Sequence, residues 1–312
     1  MILRPVPPFR LDLTAWALRR RSLNLIDRWD GTTYRRTIVV GRRLIEVAVR
    51  QRGSAETPQL VVTATPPLRT MTERRRVRLI VDRLLGLRID LTDWHRMAAR
   101  DSRLRPLADA FRGMKPPRFP SLFEGLVNAV ACQQLSLEVG LTLLNRLAAI
   151  SSTGRAVCDG TCTFPMANDV ARLSSNQCRK VGFSRQKTRA LLGIATGIAE
   201  GTLDLETIAS EDTGVARQGL LELRGIGRWS AEYVLLRGLG HLEIFPGDDV
   251  GAQKRLAQWL GQSRTLDYGG VAQVVARWHP YAGLVYFHLL LHGLRQAGVL
   301  GGLSGGRTNG RG

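Results

Sequence analysis

The sequence lacks any long uninterrupted run of apolar residues. None reaches the roughly 18–20 residues that a membrane-spanning helix needs, although 44% of the 312 residues are hydrophobic. Prolines and charges interrupt the short apolar patches of the N-terminal segment MILRPVPPFRLD, which therefore holds no signal-peptide core. Length and apolar content are instead typical of a folded protein with two modest domains. We expect a cytoplasmic protein with no membrane partner.

Acidic residues are scarce relative to basic ones. The chain has 26 Asp and Glu against 45 Lys and Arg, which gives a net charge of +19. Such an excess repels itself unless a polyanion is nearby, so a nucleic acid is the predicted partner, with an anionic membrane surface as the alternative. A GC-rich genome would also favour arginine, but it would not explain the shortage of acids.

Cysteine is also rare, with four in the chain: Cys132, Cys158, Cys162 and Cys178. Their spacing contains no C-x2-C pair of the kind that zinc sites usually show. We therefore expect reduced structural thiols. His288 and His292 have the spacing of a metal-binding pair on a helix, but they lie in a Leu-rich stretch without acidic neighbours. Packing is the preferred interpretation, and no metal site is expected.

The N-terminal third has the pattern of a small α+β domain. Alternating apolar residues predict strands at 34–40, 44–49 and 59–65, with a hairpin-like break at 41–43. Thr72 is then a candidate cap for a helix whose apolar positions share one face. Those positions are Val77, Ile80, Val81, Leu84 and Leu85. An antiparallel sheet plus helix is expected over residues 1–92.

The rest of the chain is predicted to be helical. Ser121 and Glu124 form a capping box at the start of one helix. Helices are predicted at 122–132, 136–150, 167–172, 174–180, 185–200, 204–208, 216–223, 228–239, 249–261, 270–277 and 281–296. We expect a helical core over 93–298 and a disordered Gly-rich tail over 299–312.

The most informative segment is a predicted helix–hairpin–helix at 218–238. Two apolar-periodic helices meet at Arg224-Gly225-Ile226-Gly227, a joint short enough to require a tight hairpin. The glycines allow positive φ and leave backbone N–H groups uncovered. The next helix starts directly after them, at Arg228, so its positive dipole end points the same way. Donors and dipole together predict a phosphate site that binds the DNA backbone, and Ile226 is expected to anchor the hairpin.

Two adjacent carboxylates follow this hairpin. Asp248 and Asp249 precede a predicted helix, and aspartate is a common helix cap. Only one side chain can occupy the cap position, so the other carboxylate is left beside a predicted phosphate-binding turn. Because it would repel phosphate there, we expect it to take part in chemistry.

The hairpin, followed at this distance by F-P-x-x-D-x-G at 245–251, resembles the helix-hairpin-helix/Gly-Pro-Asp (HhH-GPD) superfamily of DNA glycosylases. The resemblance implies that Asp249 is the catalytic carboxylate, which leaves Asp248 as the cap. The implied reaction is cleavage of the N-glycosidic bond, in which a carboxylate stabilises an oxocarbenium-like sugar or positions the attacking water.

Members of this superfamily that also cut the backbone carry a lysine nucleophile two residues after the second glycine of the hairpin. Trp229 occupies that position here, so the resemblance implies a monofunctional enzyme that forms no Schiff base. Its iron–sulfur members have four clustered cysteines after the catalytic region, whereas this chain has none beyond Cys178. No cofactor is therefore expected, and a monovalent cation bound at the hairpin is the one alternative.

Within the superfamily the chain resembles the 3-methyladenine DNA glycosylase II (AlkA) family. Trp229 and Tyr233, one helical turn apart, match its base-pocket positions, and aromatic faces attract cationic rings such as alkylated purines. Core packing of both rings is the alternative. Tyr281 falls where the family often has another pocket aromatic, but Ala282 replaces the arginine that usually follows.

Two further motifs carry the resemblance. Residues 133–136 look like the family's Q-Q-x-S segment, which implies that Gln134, or alternatively Leu135, wedges into the duplex as a base flips out. Ser184 and Lys187 lie in a G-x-S-x-x-K turn, which is either a phosphate contact or an ordinary helix start. The N-terminal domain also matches, through D-x-W-D-G-x-x-Y at 27–34.

Together these features predict a monomeric, monofunctional glycosylase that removes alkylated purines of the 3-methyladenine and 7-methylguanine type from double-stranded DNA in base excision repair. The alternatives are a non-catalytic clamp for damaged DNA and a glycosylase for deaminated or oxidised bases. A weakened base pair lowers the cost of flipping, which favours damaged bases.

Overall fold

A computed structural model describes residues 1–151 and 162–300. Cys158 and most of the predicted disordered tail lie outside the described residues. Within them the chain folds as expected into a mostly helical protein with an antiparallel sheet near the N-terminus. The elements of the N-terminal part are β1 (Ile2–Leu3), α1 (Leu11–Arg19), β2 (Arg28–Trp29), β3 (Thr33–Val40), β4 (Arg43–Arg52), β5 (Gln59–Thr65) and α2 (Met71–Leu85).

The sheet confirms the three predicted strands. Its order is β1-β5-β4-β3-β2, with every neighbouring pair antiparallel. The tight turn between β3 and β4 pairs Val40 with Arg43, and Gly41 adopts a φ of +62° that suits glycine. The edge strands β1 and β2 have two residues each, too few for an alternating pattern to predict them.

Helix α2 packs on the sheet through the predicted apolar face. Val77, Val81, Leu84 and Leu85 are buried together with the strand residues. The cap is Thr70 rather than the predicted Thr72, because the Thr70 side chain accepts the Glu73 amide at 3.1 Å. The helix therefore begins earlier than its apolar pattern indicates.

The helical part follows the predicted order closely from α5 onward, whereas α3 and α4 precede the first helix that the sequence predicted with bounds. Its α-helices are α3 (Thr92–Arg100), α4 (Leu104–Ala110), α5 (Leu122–Cys132), α6 (Leu137–Ser151), α7 (Ala167–Ala171), α8 (Ser175–Val181), α9 (Arg185–Ala199), α10 (Leu205–Ser210), α11 (Thr213–Glu222), α12 (Arg228–Val234), α13 (Val250–Trp259), α14 (Tyr268–Val275) and α15 (Ala282–Gln296). The predicted helix 228–239 is interrupted, since α12 passes into a π-helical turn at Leu235–Leu239.

Helix α1 joins the N-terminal sheet to the helical part. Leu11, Ala15 and Leu18 are buried with the sheet, whereas Leu13 and Ala17 belong to a second core formed with α3, α4 and α15. A third core contains α5, α6, α9 and α12. Because α1 packs into two cores, the position of its C-terminal end is fixed. The residues that follow α1 are therefore placed next to the helical part.

A buried ion network makes a second link between the two parts. Arg36 of β3 donates to Asp27 at 2.8 Å and to Glu124 of α5 at 2.6 Å, and all three side chains are almost fully buried. Tyr34 also donates to Asp27, at 2.7 Å. A buried charge is tolerated when it is paired and hydrogen-bonded in this way.

The packing interpretation of His288 is confirmed. Its ring is buried 5.0 Å from the centroid of the Trp94 ring, its Nδ1 is bonded to the Leu284 carbonyl at 2.7 Å, and burial lowers its pKa to about 4. Over residues 1–151 and 162–300, no group of three His, Cys, Asp or Glu side chains could hold a metal ion. No helix in the same ranges is long and apolar enough to cross a membrane.

Candidate DNA interface and active site

A cleft of about 1190 Å³ opens in the helical part. It is lined by the turn between α11 and α12, the loop between α5 and α6, and the beginnings of α9 and α13. All of the predicted site residues except Tyr281 line it: Gln134, Leu135, Ser184, Lys187, Arg224, Gly225, Ile226, Gly227, Arg228, Trp229, Tyr233 and Asp249. Residues that lie far apart in the sequence are thus brought to one surface.

The turn between α11 and α12 is the hairpin that the sequence predicts. Gly225 has a φ of +86°, and a Cβ there would lie 2.6 Å from the Cβ of Ala190, so both conformation and space require glycine. Ile226 is buried. Gly227 precedes α12 and faces open space. Within the described residues, neither glycine amide donates a hydrogen bond, so both remain available to a ligand.

Gln133, which was not predicted as a site residue, fastens this hairpin to the loop that follows α5. Its Nε2 donates to the Gly225 carbonyl at 2.7 Å and to the Ser230 hydroxyl at 2.8 Å. The side chain is half-buried, so these bonds are shielded from water. The hairpin and the Gln133 loop are therefore joined by hydrogen bonds at one rim of the cleft.

Lys187 fastens the same loop from the other side. Its Nζ donates to the carbonyls of Ala131 and Gln133 at 3.0 and 2.7 Å, and burial lowers the pKa of Lys187. Ser184 caps α9 by accepting the Lys187 amide at 3.3 Å. The G-x-S-x-x-K turn thus serves as a helix start, which was one of the two interpretations, and its lysine supports the α5–α6 loop.

Gln134 and Leu135 form the tip of this supported loop. Gln134 has a φ of +53°, an uncommon conformation for a residue with a side chain, and Leu135 is 42% exposed. An exposed leucine on a loop held at its base by Gln133 and Lys187 has the shape expected of a wedge. Both candidates for the wedge therefore stand at the rim of the cleft.

The two predicted basic residues of the hairpin differ in their surroundings. The Arg228 guanidinium makes a two-point ion pair with Asp248, at 2.6 and 3.0 Å, and lies 3.8 Å from the centroid of the Tyr268 ring. Arg224 is exposed and has no ion pair among the described residues. Arg224 is therefore the freer of the two cations.

The assignment of Asp248 as the helix cap is wrong. Helix α13 begins at Val250, and Asp249 caps it, with Oδ1 accepting the Ala252 amide at 2.7 Å. Asp248 is turned instead toward Arg228. A cap role and a chemical role for Asp249 are compatible, because a carboxylate has lone pairs left after accepting one amide.

Tyr286 holds the second oxygen of Asp249. Its hydroxyl donates to Oδ2 at 3.0 Å. Burial and the neighbouring Asp249 carboxylate raise the pKa of Tyr286 well above its ordinary value, so the phenol keeps its proton. With one donor on each oxygen, the carboxylate is fixed in a single orientation at the edge of the cleft.

Glu232 of α12 supports the loop that leads to Asp249. It is buried, and its Oε2 accepts the Gly247 amide at 3.0 Å. Its Oε1 accepts from the Tyr268 hydroxyl at 2.8 Å and from Arg217 at 3.1 Å. No sequence motif indicated this role, because the residues it joins are brought together only by the fold.

Trp229 and Tyr233 form an aromatic wall of the cleft. Their ring centroids are 5.3 Å apart, with an angle of 27° between the planes, so the two rings stack. Tyr233 is also buried in the core formed by α5, α6, α9 and α12, whereas Trp229 is only half-buried against it. Tyr281 is not part of this wall. It precedes α15 and packs edge-on against Trp94, at 6.1 Å between centroids. The tyrosine of this region that does line the cleft is Tyr286, in the first turns of α15.

The chain is similar to known repair proteins. Residues 127–280 match the family model "HhH-GPD superfamily base excision DNA repair protein". A DNA-3-methyladenine glycosylase of Bacillus subtilis is 26% identical over 290 residues, which are 90% of this chain and 93% of the relative.

Two solved structures share the fold. The 3-methyladenine DNA glycosylase of Archaeoglobus fulgidus has a TM-score of 0.79 at 24% identity, covering 95% of this chain and 98% of that protein. The 3-methyladenine DNA glycosylase Mag1 of Schizosaccharomyces pombe, solved with abasic DNA, has a TM-score of 0.56 at 22% identity, covering 64% and 95%. At these identities, the likeness to the two structures shows the fold alone.

Proposed function

The chain belongs to the HhH-GPD superfamily of base excision DNA repair proteins, and on that premise we propose that it is a monofunctional glycosylase that removes alkylated purines from double-stranded DNA. The single observation that carries this proposal is the position of Asp249. Its carboxylate, held by Ala252 and Tyr286, lines the same cleft as the hairpin amides and the Trp229–Tyr233 wall. The named B. subtilis relative supports the class of substrate.

The hairpin would hold the DNA backbone. The free amides of Gly225 and Gly227 and the exposed Arg224 can all donate to phosphate oxygens. Gln134 or Leu135 would enter the gap in the duplex as the damaged base rotates into the cleft. The base would then stack on Trp229, whose ring attracts an electron-poor alkylated purine.

Asp249 would act on the sugar. As the C1′–N bond breaks, positive charge develops on the sugar, and the fixed carboxylate stabilises it or positions the water that attacks C1′. Because Ala252 and Tyr286 already orient the carboxylate, little reorganisation is needed during the reaction.

The lysines of the cleft support the proposal that the enzyme has no lyase activity. Among the described residues that line it, Lys187 is the only lysine, and its Nζ already donates to two carbonyls. An amine committed in this way is not free to form a Schiff base with the abasic sugar. We further propose that the enzyme acts as a monomer and needs no iron–sulfur cluster, and that a cation at the hairpin would be monovalent.

The decisive experiment measures free bases released from methylated duplex DNA. Wild type should release 3-methyladenine or 7-methylguanine, whereas Asp249→Asn should bind the same DNA with similar affinity and lose base release by at least about 100-fold. Asparagine remains a good helix cap, so α13 should persist.

A matched control is available in Asp267, which caps α14 through the Gly270 amide at 2.8 Å and does not line the cleft. Asp267→Asn should release bases at the wild-type rate. Wild type that binds methylated DNA tightly but releases no base would favour the damage-binding clamp. Base release by Asp249→Asn within about threefold of wild type would remove Asp249 from the mechanism.

A further inference from the structure

A groove of about 280 Å³ lies between the N-terminal domain and the helical core, outside the cleft. It is lined by residues 36–39 of β3, by Arg76 and Ile80 of α2, by the start of α5 and by residues 163–167. This site, the α2 groove, shares no lining residue with the cleft. Phe123 near one end of α5 lines the groove, and Cys132 at the other end lines the cleft. About 14 Å of helix therefore separates the two sites.

The lining of the α2 groove is mostly apolar. It includes Ile38, Val39, Ile80, Phe123, Phe164 and Met166. Met166 is 49% exposed, so the apolar lining reaches the surface. The volume lies at the lower limit of the about 300–1,000 Å³ that small-molecule sites occupy. A space of this size and character suits one or two apolar side chains of a bound chain better than a cofactor.

The edge of β3 is open along the groove. β3 pairs with β4 over its whole length, but on its other side it pairs with β2 only at Tyr34 and Arg35. Thr37 pairs there with Thr163, and no strand in residues 1–151 and 162–300 pairs with Val39 on that side. An open strand edge offers main-chain donors and acceptors to an extended segment.

A buried hydroxyl in the groove also lacks a partner. Thr37 lines the groove and is 1% exposed, and its Oγ1 makes no hydrogen bond to any described residue. A buried polar atom is costly to leave unpaired. A ligand that brings a polar main chain into the groove would supply the missing bond.

An unpaired arginine stands at the groove. Arg76 lines it and is exposed, and its side chain makes no ion pair within the described ranges. The two acidic residues of α2 are occupied elsewhere, since Glu73 pairs with Arg43 and Asp82 with two other arginines. The charge of Arg76 is therefore available to an acidic ligand.

Two further arginines extend this positive charge. Arg83 comes seven residues after Arg76 and so lies on the same face of α2. It donates to two backbone carbonyls at 2.8 and 2.6 Å, and burial together with the neighbouring Arg118 lowers the pKa of Arg83. Neither Arg83 nor Arg118 makes an ion pair in the part of the chain that the structure describes. Glu124 is the one acid among the described lining residues, and Arg36 neutralises it.

Shape and charge together determine the occupant. The phosphates of a DNA duplex would satisfy Arg76, but a duplex is convex and has no apolar side chain to place in the groove. A free anion would leave the apolar lining and the strand edge unused. An extended acidic peptide with an apolar side chain satisfies all three features.

We propose that the α2 groove binds an extended segment of a partner protein in which acidic residues flank a large apolar side chain. The apolar side chain packs between Ile80 and Phe123, the main chain pairs with β3 at Val39, and an acidic residue binds Arg76. Because the groove is separate from the cleft, the partner binds while DNA occupies the cleft.

The test uses the full chain and three fluorescein-labelled peptides. The first has a central Leu-Phe pair with two Glu on either side. The second has Gln in place of every Glu, and the third keeps the Glu and has Ser-Gly in place of Leu-Phe. Fluorescence anisotropy should show micromolar binding of the first peptide and binding of the other two that is weaker by at least about tenfold. No binding of the first peptide, or equal binding of all three, would overturn the proposal.

Arg76→Glu should weaken binding of the first peptide by at least about tenfold. Arg74→Glu is the matched control, because Arg74 is exposed on the same helix, about 200° around the axis from Arg76, and does not line the groove. Its affinity should stay at the wild-type value. Equal affinities of the two variants would show that the peptide does not bind at Arg76. The comparison of the three peptides on wild type decides the question if thermal melting shows that a variant does not fold.

Duplex DNA distinguishes the groove from the cleft. An excess of unlabelled duplex should leave the first peptide bound, and displacement of the peptide would place it in the cleft and refute the proposal. Arg76→Glu and Arg74→Glu change the net charge equally and should bind the duplex with equal affinity. A selective loss of DNA binding in Arg76→Glu would make the groove part of a nucleic-acid surface instead.

Discussion

Replacement of Glu232 by glutamine should weaken both the fold and the active-site loop. The buried carboxylate accepts three hydrogen bonds, from Gly247, Tyr268 and Arg217. A glutamine of the same shape has one acceptor oxygen. If that oxygen faces Tyr268 and Arg217, the amide nitrogen points at the Gly247 N–H, and two donors oppose each other in the interior.

The expected cost follows from these three contacts. Leaving the Gly247 amide unpaired costs about 1–3 kcal/mol, and the two remaining bonds each lose about half of their strength when the charge is removed. Arg217 is 34% exposed and regains some hydration, so its share is reduced. The free energy of unfolding should fall by about 3 kcal/mol. Tyr268→Phe removes one bond and should cost about 1 kcal/mol.

Urea denaturation of wild type, Glu232→Gln and Tyr268→Phe measures these differences. Base release should fall by about tenfold or more in Glu232→Gln, because Gly247 belongs to the turn that presents Asp249 and small displacements of catalytic groups are costly. DNA affinity should change less than base release, since Glu232 itself makes no hydrogen bond to the hairpin glycines. A loss below about 1 kcal/mol would refute the estimate, and an intact rate in a destabilised variant would refute the role of the turn.

Two further perturbations test the charge and the packing of the protein. Arg224→Ala should weaken DNA binding and reduce the slope of log affinity against log salt by about one. Arg42 is also exposed but does not line the cleft, so Arg42→Ala should leave the slope unchanged. Equal slopes for the two variants would contradict the phosphate contact. His288 is neutral in the fold because burial lowers its pKa to about 4. The free energy of unfolding that depends on a neutral His288 is fully present above about pH 6.5. It is lost progressively as the pH falls from there through about 4. Unfolding should therefore be easier by about 2 kcal/mol at pH 5 than at neutral pH. His288→Phe should lack that part of the pH dependence, and an unchanged profile would assign it to other groups.

Features set by neighbouring residues were predictable. The turn at Gly41, the serine cap at Ser121, the glycines of the hairpin and the stacked pair of Trp229 and Tyr233 all depend on local geometry, and the structure has each of them. The predicted capping box is only half formed, because the Glu124 carboxylate binds Arg36 rather than the Ser121 amide. Helix ends were less certain, as the cap at Thr70 shows, because a helix can extend beyond its apolar face.

Features set by contacts distant in sequence were not predictable. The Arg20 guanidinium donates to the Tyr233 hydroxyl across 213 positions, and Gln133 donates to Ser230 across 97, so no spacing rule connects them. The shift of the cap role from Asp248 to Asp249 has the same origin. Adjacent aspartates look alike in the sequence, and the ion pair that removes Asp248 from the cap position comes from Arg228 on the preceding helix.

The buried network around Arg36 limits how this protein can exchange parts with its relatives. Arg36 and Asp27 belong to the N-terminal domain, while Glu124 belongs to the helical core. Recombination that replaced the sheet alone would leave Glu124 with its charge and without its cation, a loss that costs about 3–5 kcal/mol. A transplanted N-terminal domain would therefore leave the fold intact only if it brought an arginine to the position of Arg36.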